Sequence, residues 1–234
     1  MTMLRSPALR YPKSLWSNNP IPHGCVLYMP LWSPGLNGSV FKSVDPYGHI
    51  CTVTNATWGS QGMTFDGVND SISCGTSSTF DFTTQNFTLT VWVYPVALEA
   101  VTRTLLCRSD VGSEGYLARL TNEGRIDFLT WAPAEGRSYT AISVVLINTW
   151  CQVTFVRNGT AALFYKNGAV VTNESSGTHN NLVTSAQPLL IGESSVQPSS
   201  GDYDGIIGEV SIHNRALSAT EILYSYQLTK GRYL

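Results

Sequence analysis

The sequence predicts an all-β protein, a two-sheet antiparallel jelly-roll sandwich with one short C-terminal helix and an extended N-terminal arm. Three observations carry this expectation. Short segments with apolar residues at alternate positions recur from about Val26 onward, the period of a half-buried strand. Asn158-Gly159 and Asn167-Gly168 punctuate two of these segments, and Asn-Gly suits the tight turns of antiparallel hairpins. One stretch, near the C-terminus, carries a well-marked helix start.

Residues 1–24 form the arm. Pro7, Pro12, Pro20 and Pro22, with poor periodicity, imply an extended segment that orders against a partner or the domain surface. Arg5, Arg10 and Lys13 are its candidate docking residues. Residues 1–44 hold no acidic residue, so all 16 acidic residues stand in the remainder, against 10 of the 14 basic ones. A basic arm ahead of an acidic domain suits docking on a larger assembly.

The domain is expected over 25–228. Phe87 to Tyr94 alternates cleanly: Leu89, Val91 and Val93 share one face, Thr88, Thr90, Trp92 and Tyr94 the other, and Pro95 ends the run. Bulk on both faces predicts a central strand. Gln152–Arg157, Ala161–Lys166 and a third strand from Ala169 form a meander joined by the two Asn-Gly turns, read as type I′. Further strands are expected at 71–74, 103–108, 116–121, 125–130, 140–146, 188–191 and 208–213. A dozen short strands suit two sheets better than a small barrel. Ser218-Ala-Thr-Glu221 is a capping box, with Leu217 and Ile222 at the staple positions. Residues 229–234 form a short tail with Lys230 and Arg232.

Composition excludes several classes. Of the 234 residues, 43% are hydrophobic and 13% charged, a balance that disordered chains do not have. A net charge of -2 gives no general attraction to nucleic acid or to an anionic membrane. No secretory leader and no membrane-spanning run is expected. The spacing of the five cysteines fits no zinc pattern, so they are read as buried thiols of a protein folded in a reducing cytoplasm. Six Asn-x-Ser/Thr sequons occur in an Asn/Ser/Thr-rich chain and are read as unmodified.

Five motifs in order resemble the laminin-G-like branch of the concanavalin-A-like lectin/glucanase superfamily. Phe65-Asp-Gly-Val-Asn-Asp70 is similar to its FDG-x-x-D strand, and Phe87 to Pro95 to its FTLSAWVYP strand. Trp150 with Val153 and Phe155, then Tyr165-Lys-Asn-Gly168, resembles its hairpin. Leu190-Ile-Gly192 resembles its IG strand, and Tyr203 to Ile222 its closing strand and helix. The resemblance covers roughly 25–228 and implies a concanavalin-A-like sandwich with loops gathered at one rim. Single-domain chains of this kind occur in tailed-phage gene sets.

The resemblance implies fold rather than chemistry. The Glu-x-Asp-x-x-Glu strand of the glucanase members is missing, as are G-x-S-x-G, H-E-x-x-H and phosphate-loop motifs. His213, alternating with Val210 and Ile212, is read as structural, and a non-catalytic protein is expected. Calcium is the one cofactor the resemblance suggests, at loops matching Asp110, Glu193, Asp202 and Asp204. The chain departs there from pentraxins, with Glu193 alone acidic after Ile191-Gly192 and Thr90 in place of a pentraxin cysteine. Glycan binding needs flat aromatic rings beside polar groups. Trp131 and Tyr139, flanking a rim loop expected at 132–138, and Tyr203 in another loop are the candidates.

Two non-enzymatic functions are expected to compete. The first is a virion structural or decoration protein, a homo-oligomer on a larger assembly that touches host-surface glycans. The alternative is an autonomous glycan-binding module, with calcium dependence as an open question; a glycoside hydrolase is the remote third.

Overall fold

A computed structural model describes residues 23–98, 101–110, 113–132, 134–195 and 201–234. Arg5, Arg10 and Lys13 lie outside them. The chain runs through β1 (Cys25–Pro30), β2 (Val40–Lys42), β3 (Ile50–Thr54), β4 (Thr57–Gly59), β5 (Gly62–Asp66) and β6 (Ser71–Ser73). It continues with β7 (Phe87–Pro95), β8 (Arg103–Asp110), β9 (Glu114–Leu120), β10 (Ile126–Ala132), β11 (Ala134–Thr140) and β12 (Cys151–Asn158). The last strands are β13 (Ala161–Lys166), β14 (Ala169–Val171), β15 (Asn173–Ser175), β16 (Leu190–Ile191) and β17 (Asp204–His213), followed by α1 (Ala219–Thr229).

These strands make two antiparallel sheets. The first runs β14-β13-β12-β7-β17-β5-β4, with β1 also paired to β17; the second runs β15-β11-β10-β9-β8-β16-β6-β3-β2. The main core lies between them, with Leu89, Val91, Val93, Phe155, Val210 and Ile212 of the first sheet and Tyr116, Ala118, Ile126 and Phe128 of the second all buried. As expected, β7 is central and covered on both sides. Its outward Trp92 is fully buried beneath the C-terminal segment, where Tyr233 and Trp150 join it. Ser218 caps α1 by accepting from the Glu221 amide, and the Glu221 carboxylate accepts from the Ser218 amide at 2.9 Å.

Three local expectations need correction. The strand expected over 140–146 ends at Thr140: Ser143 takes φ 59° and Ser143 and Val145 donate to the 123–124 turn instead of joining a ladder. The strand is β11, over residues read as a rim loop. Its Gly136 lets the chain pass close to Thr178, where a Cβ would sit 2.4 Å from the carbonyl oxygen. The first meander turn is Gly159-Thr160 rather than Asn158-Gly159, since Asn158 pairs with Ala161. Gly159 at φ 61° supplies the positive φ of a II′-like turn. Asn167 (φ 52°) and Gly168 (φ 76°) do form the type I′ turn.

None of the five cysteines is in a disulfide; all but the half-buried Cys25 are buried. His213 is buried on β17. His179 is also buried, with Nδ1 2.9 Å from Thr130 Oγ1 and Nε2 2.9 Å from Ser138 Oγ. Burial first, and the Arg157 charge second, push its pKa down to about 4, so it serves as neutral packing between strands.

Candidate functional site

Alternation along β9, β10 and β11 decides which side chains reach the open face of the second sheet. Phe128 and Ile126 turn inward, so Asp127, Leu129 and Trp131 turn outward. Register then sets rows across the strands. Arg119, Asp127 and Tyr139 form one row, Leu117, Leu129 and Arg137 the next, and Gly115, Trp131 and Glu135 a third.

Tyr139, half-buried on β11, ends the first row, with Asp127 at its centre. Arg125 and Arg137 carry their guanidinium carbons 5.1 and 5.3 Å from its ring centroid. Beside it opens a cleft of about 260 Å³ lined by Thr102, Thr121, Asn122, Glu123, Arg125 and Arg137. The lining comes from the turn between β9 and β10, from β11 and from Thr102 just ahead of β8.

A buried carboxylate organises these cations. Asp127 accepts from Arg119 Nε at 2.8 Å and from Arg137 Nε and Nη2, both at 2.9 Å. Two charge-assisted contacts to Arg137 hold that side chain against the Tyr139 ring. Arg125 donates to Glu123 at 2.7 Å, and its Nη1 to the Thr140 carbonyl and to Glu174. The cleft therefore offers donors and acceptors side by side, next to a flat ring and with its charges matched.

The other predicted residues are placed differently. Trp131 shares the sheet face with Tyr139 but is buried against Cys107, Leu117 and Leu129. It lies outside the lining of the cleft, and its ring faces are not presented to solvent. Tyr203 is fully buried in the main core, edge-on to Phe65 with centroids 6.0 Å apart. Its position just ahead of β17 reads as a loop in sequence, yet the ring packs inside. Of the three candidate aromatics, Tyr139 alone remains available for stacking.

The four carboxylates matched to calcium do not form one site. Asp110 ends β8, seven residues from Arg103 and so roughly 20 Å along the strand. Glu193, Asp202 and Asp204 gather near the other end with Asp66 and Asp70, and Arg103 lies among them. Its Nη1 donates to the Asp202 carbonyl at 3.0 Å and its Nη2 stands 3.9 Å from the Asp204 carboxylate. Among the described residues, neither carboxylate oxygen of the buried Asp202 has a hydrogen-bond partner. Burial, then the charge of Glu193, pushes its pKa up to about 6. Among the described residues, no three His, Cys, Asp or Glu side chains converge so as to hold a metal ion. Arg103 stands among the clustered carboxylates, joined to the Asp202 carbonyl and to the Asp204 carboxylate.

A larger open groove of about 700 Å³ lies between Gln85, Asn86 and Asn158 and the segment Asn214–Ser218. It is polar and lacks an aromatic ring, and its Arg215 and Glu221 are paired with each other at 2.6 Å. Sequence reading missed Arg119, Arg125, Arg137 and Asp127. Their signal was polar residues at the outward positions of strands whose inward positions are apolar.

A laminin-G-type family model, described as the concanavalin A-like lectin/glucanases superfamily, matches residues 66–223. No curated protein matches the sequence significantly. Among solved structures, Trypanosoma rangeli sialidase in complex with sialic acid is similar with a TM-score of 0.66 at 21% identity, over 90% of this chain and 33% of that one. The botulinum neurotoxin serotype G binding domain gives a TM-score of 0.69 at 17% identity, over 88% and 51%. This chain thus spans about a third to a half of the structures it resembles, and at these identities the likeness is one of fold. Sheet order, motif order and the family match agree, and the chain belongs to the concanavalin A-like lectin/glucanase superfamily.

Proposed function

We propose that the protein is a non-catalytic glycan-binding module and that the Tyr139 cleft is its sugar site. The observation that carries this reading is the half-exposed Tyr139 ring, braced by two arginines, beside a cleft of monosaccharide size. An aromatic face packs against the C–H side of a pyranose, while adjacent polar groups fix its hydroxyls. Arg125, Asn122, Glu123 and Thr121 supply both donors and acceptors, which is what vicinal hydroxyls need. Matched charges favour a neutral sugar over an anionic one.

Binding rather than hydrolysis is supported by the state of the carboxylates. Asp127, Glu123 and Glu174 are each committed to arginine, so among the described residues lining or bracing the cleft no unpaired carboxyl pair stands ready for acid and nucleophile roles. A place on a virion would add to this reading through the arm at Arg5, Arg10 and Lys13. Attachment of the full chain, but not of a chain lacking residues 1–22, to particles would support it.

The test is a glycan array probed with the purified protein, with calcium and then with EDTA, repeated with Tyr139→Ala. Binding that survives EDTA and falls tenfold or more with Tyr139→Ala, about 1.4 kcal/mol, is expected. Binding unchanged by that substitution would remove the cleft from consideration, and an array silent in both conditions would remove the function.

A further inference from the structure

We propose that Cys51 and Cys74 are an oxidation site, a thiol pair built to close into a disulfide that staples β3 to β6 when the protein meets an oxidising compartment. Their Sγ atoms stand 3.4 Å apart, in contact and unbonded. Thr52 lies opposite Ser73 and Val53 opposite Ile72, so the register sets Cys51 directly across from Cys74. Directly opposed residues on antiparallel strands have Cβ atoms about 4.5–5.5 Å apart, and a disulfide needs about 3.5–4.5 Å. A small approach of two side chains on fixed strands closes the bond. Met29 Sδ lies 3.6 Å from the Cys51 sulfur and 4.0 Å from that of Cys74, so a soft, adaptable thioether can take up the change in volume.

Both thiols are buried, Cys51 fully and Cys74 at 2% exposure, which sets the conditions for closure. The Cys74 thiol is pushed well above its usual pKa, first by its hydrogen bond with Cys51 and then by burial, so the thiolate is scarce in the closed fold. Access comes from the sheet edge. Phe41 of the three-residue β2 pairs with Cys51, and β2 is the last strand of its sheet. Release of so short an edge strand is the least costly opening that exposes the pair.

The step is thiol–disulfide exchange with a low-molecular-weight disulfide such as oxidised glutathione. One cysteine thiolate attacks a sulfur of the small disulfide, forming a mixed disulfide and releasing one small thiolate. The second cysteine thiolate then attacks the protein sulfur of the mixed disulfide, forming the Cys51–Cys74 bond and releasing the other small thiolate. Two cysteine thiols lose two electrons and two protons, and the small disulfide becomes two thiols.

The test incubates the reduced full-length protein with oxidised glutathione, natively and in sub-denaturing urea, and reads it by thiol titration and non-reducing peptide mass spectrometry. Titratable thiols are expected to fall from five to three, with a peptide pair joining Cys51 to Cys74 about 2 Da lighter than its reduced sum. Closure should be faster in urea and at higher pH. Oxidised protein should melt about 5 °C or more higher, a rise absent in Cys74→Ala. Five titratable thiols after oxidation in urea, a persistent glutathione adduct, or a bond to another cysteine would overturn the proposal.

Discussion

The Tyr233 ring stacks on the Trp92 indole with centroids 4.4 Å apart and planes 26° from parallel. Trp150 meets the same tyrosine at 4.6 Å, and the Trp92 indole N–H donates to Thr229 Oγ1 at 2.8 Å. The C-terminal segment is thereby the cover of the first sheet. Tyr233→Ala should cost about 3 kcal/mol in denaturant unfolding, in the range of large aromatic truncations. Gly208 is bare for the same reason, since a Cβ there would come within 2.4 Å of the tyrosine ring. Gly208→Ala should therefore destabilise the wild-type chain and be nearly silent beside Tyr233→Ala, a coupling that a double-mutant cycle reads directly.

Stability should fall as pH rises from about 4 to 8. Glu209 lies buried under Trp32, whose indole N–H donates to it, and burial pushes its pKa up to about 7. Asp202 is pushed up to about 6. A carboxyl group with a raised folded pKa favours the fold while protonated and loses that contribution as pH passes through the folded value. Each group is worth on the order of 3 kcal/mol across that window. Melting curves of Glu209→Gln and Asp202→Asn should each show a flatter pH profile than the parent. Glu221, drawn down to about 2 mainly by Arg215, acts in the opposite sense, its contribution present above its ordinary pKa and lost as pH falls toward 2.

Two glycines separate conformational cost from crowding. Gly159 has φ +61° and open space around a notional Cβ, whereas Gly168 has φ +76° and the Leu223 backbone of α1 at 3.0 Å. Gly159→Ala should cost about 1 kcal/mol, the left-handed penalty alone. Gly168→Ala should cost more, because α1 must also move, and chemical denaturation of the two variants gives the comparison.

Removing the buried partner of two arginines should damage both stability and binding. Asp127→Ala leaves Arg119 and Arg137 without their anion and should cost about 3 kcal/mol. Arg137→Ala, with Asp127 still bound to Arg119, should fold more nearly normally yet weaken glycan binding in titration calorimetry, because the Tyr139 ring loses one of its braces.

Much of the fold was legible. The β7 alternation, the Asn167-Gly168 turn and the Ser218 capping box are local signals, fixed by period, turn chemistry and hydrogen-bonding reach. Where nonlocal packing decides, local signals failed. The stretch 141–146 has strand composition, yet its Ser143 and Val145 amides are taken by the 123–124 turn, while the unpromising Ala134–Thr140 pairs with β10 and β15. The candidate site was legible by one residue, Tyr139. Its braces could not be found from spacing, because Arg119, Asp127 and Arg137 come from three strands and meet only through register. Trp131 and Tyr203 have the right chemistry in the wrong solvent environment, a property of the whole fold.

The cover over Trp92 also sets how the molecule can be attached to anything else. Leu234 is 64% exposed, one residue beyond the buried Tyr233, and lies on the outer face of the first sheet. The Tyr139 cleft opens on the outer face of the second sheet, on the far side of the core. A tether, label or fused partner joined at Leu234 therefore leaves the molecule pointing away from the cleft, and a surface coated through that point would present the cleft outward.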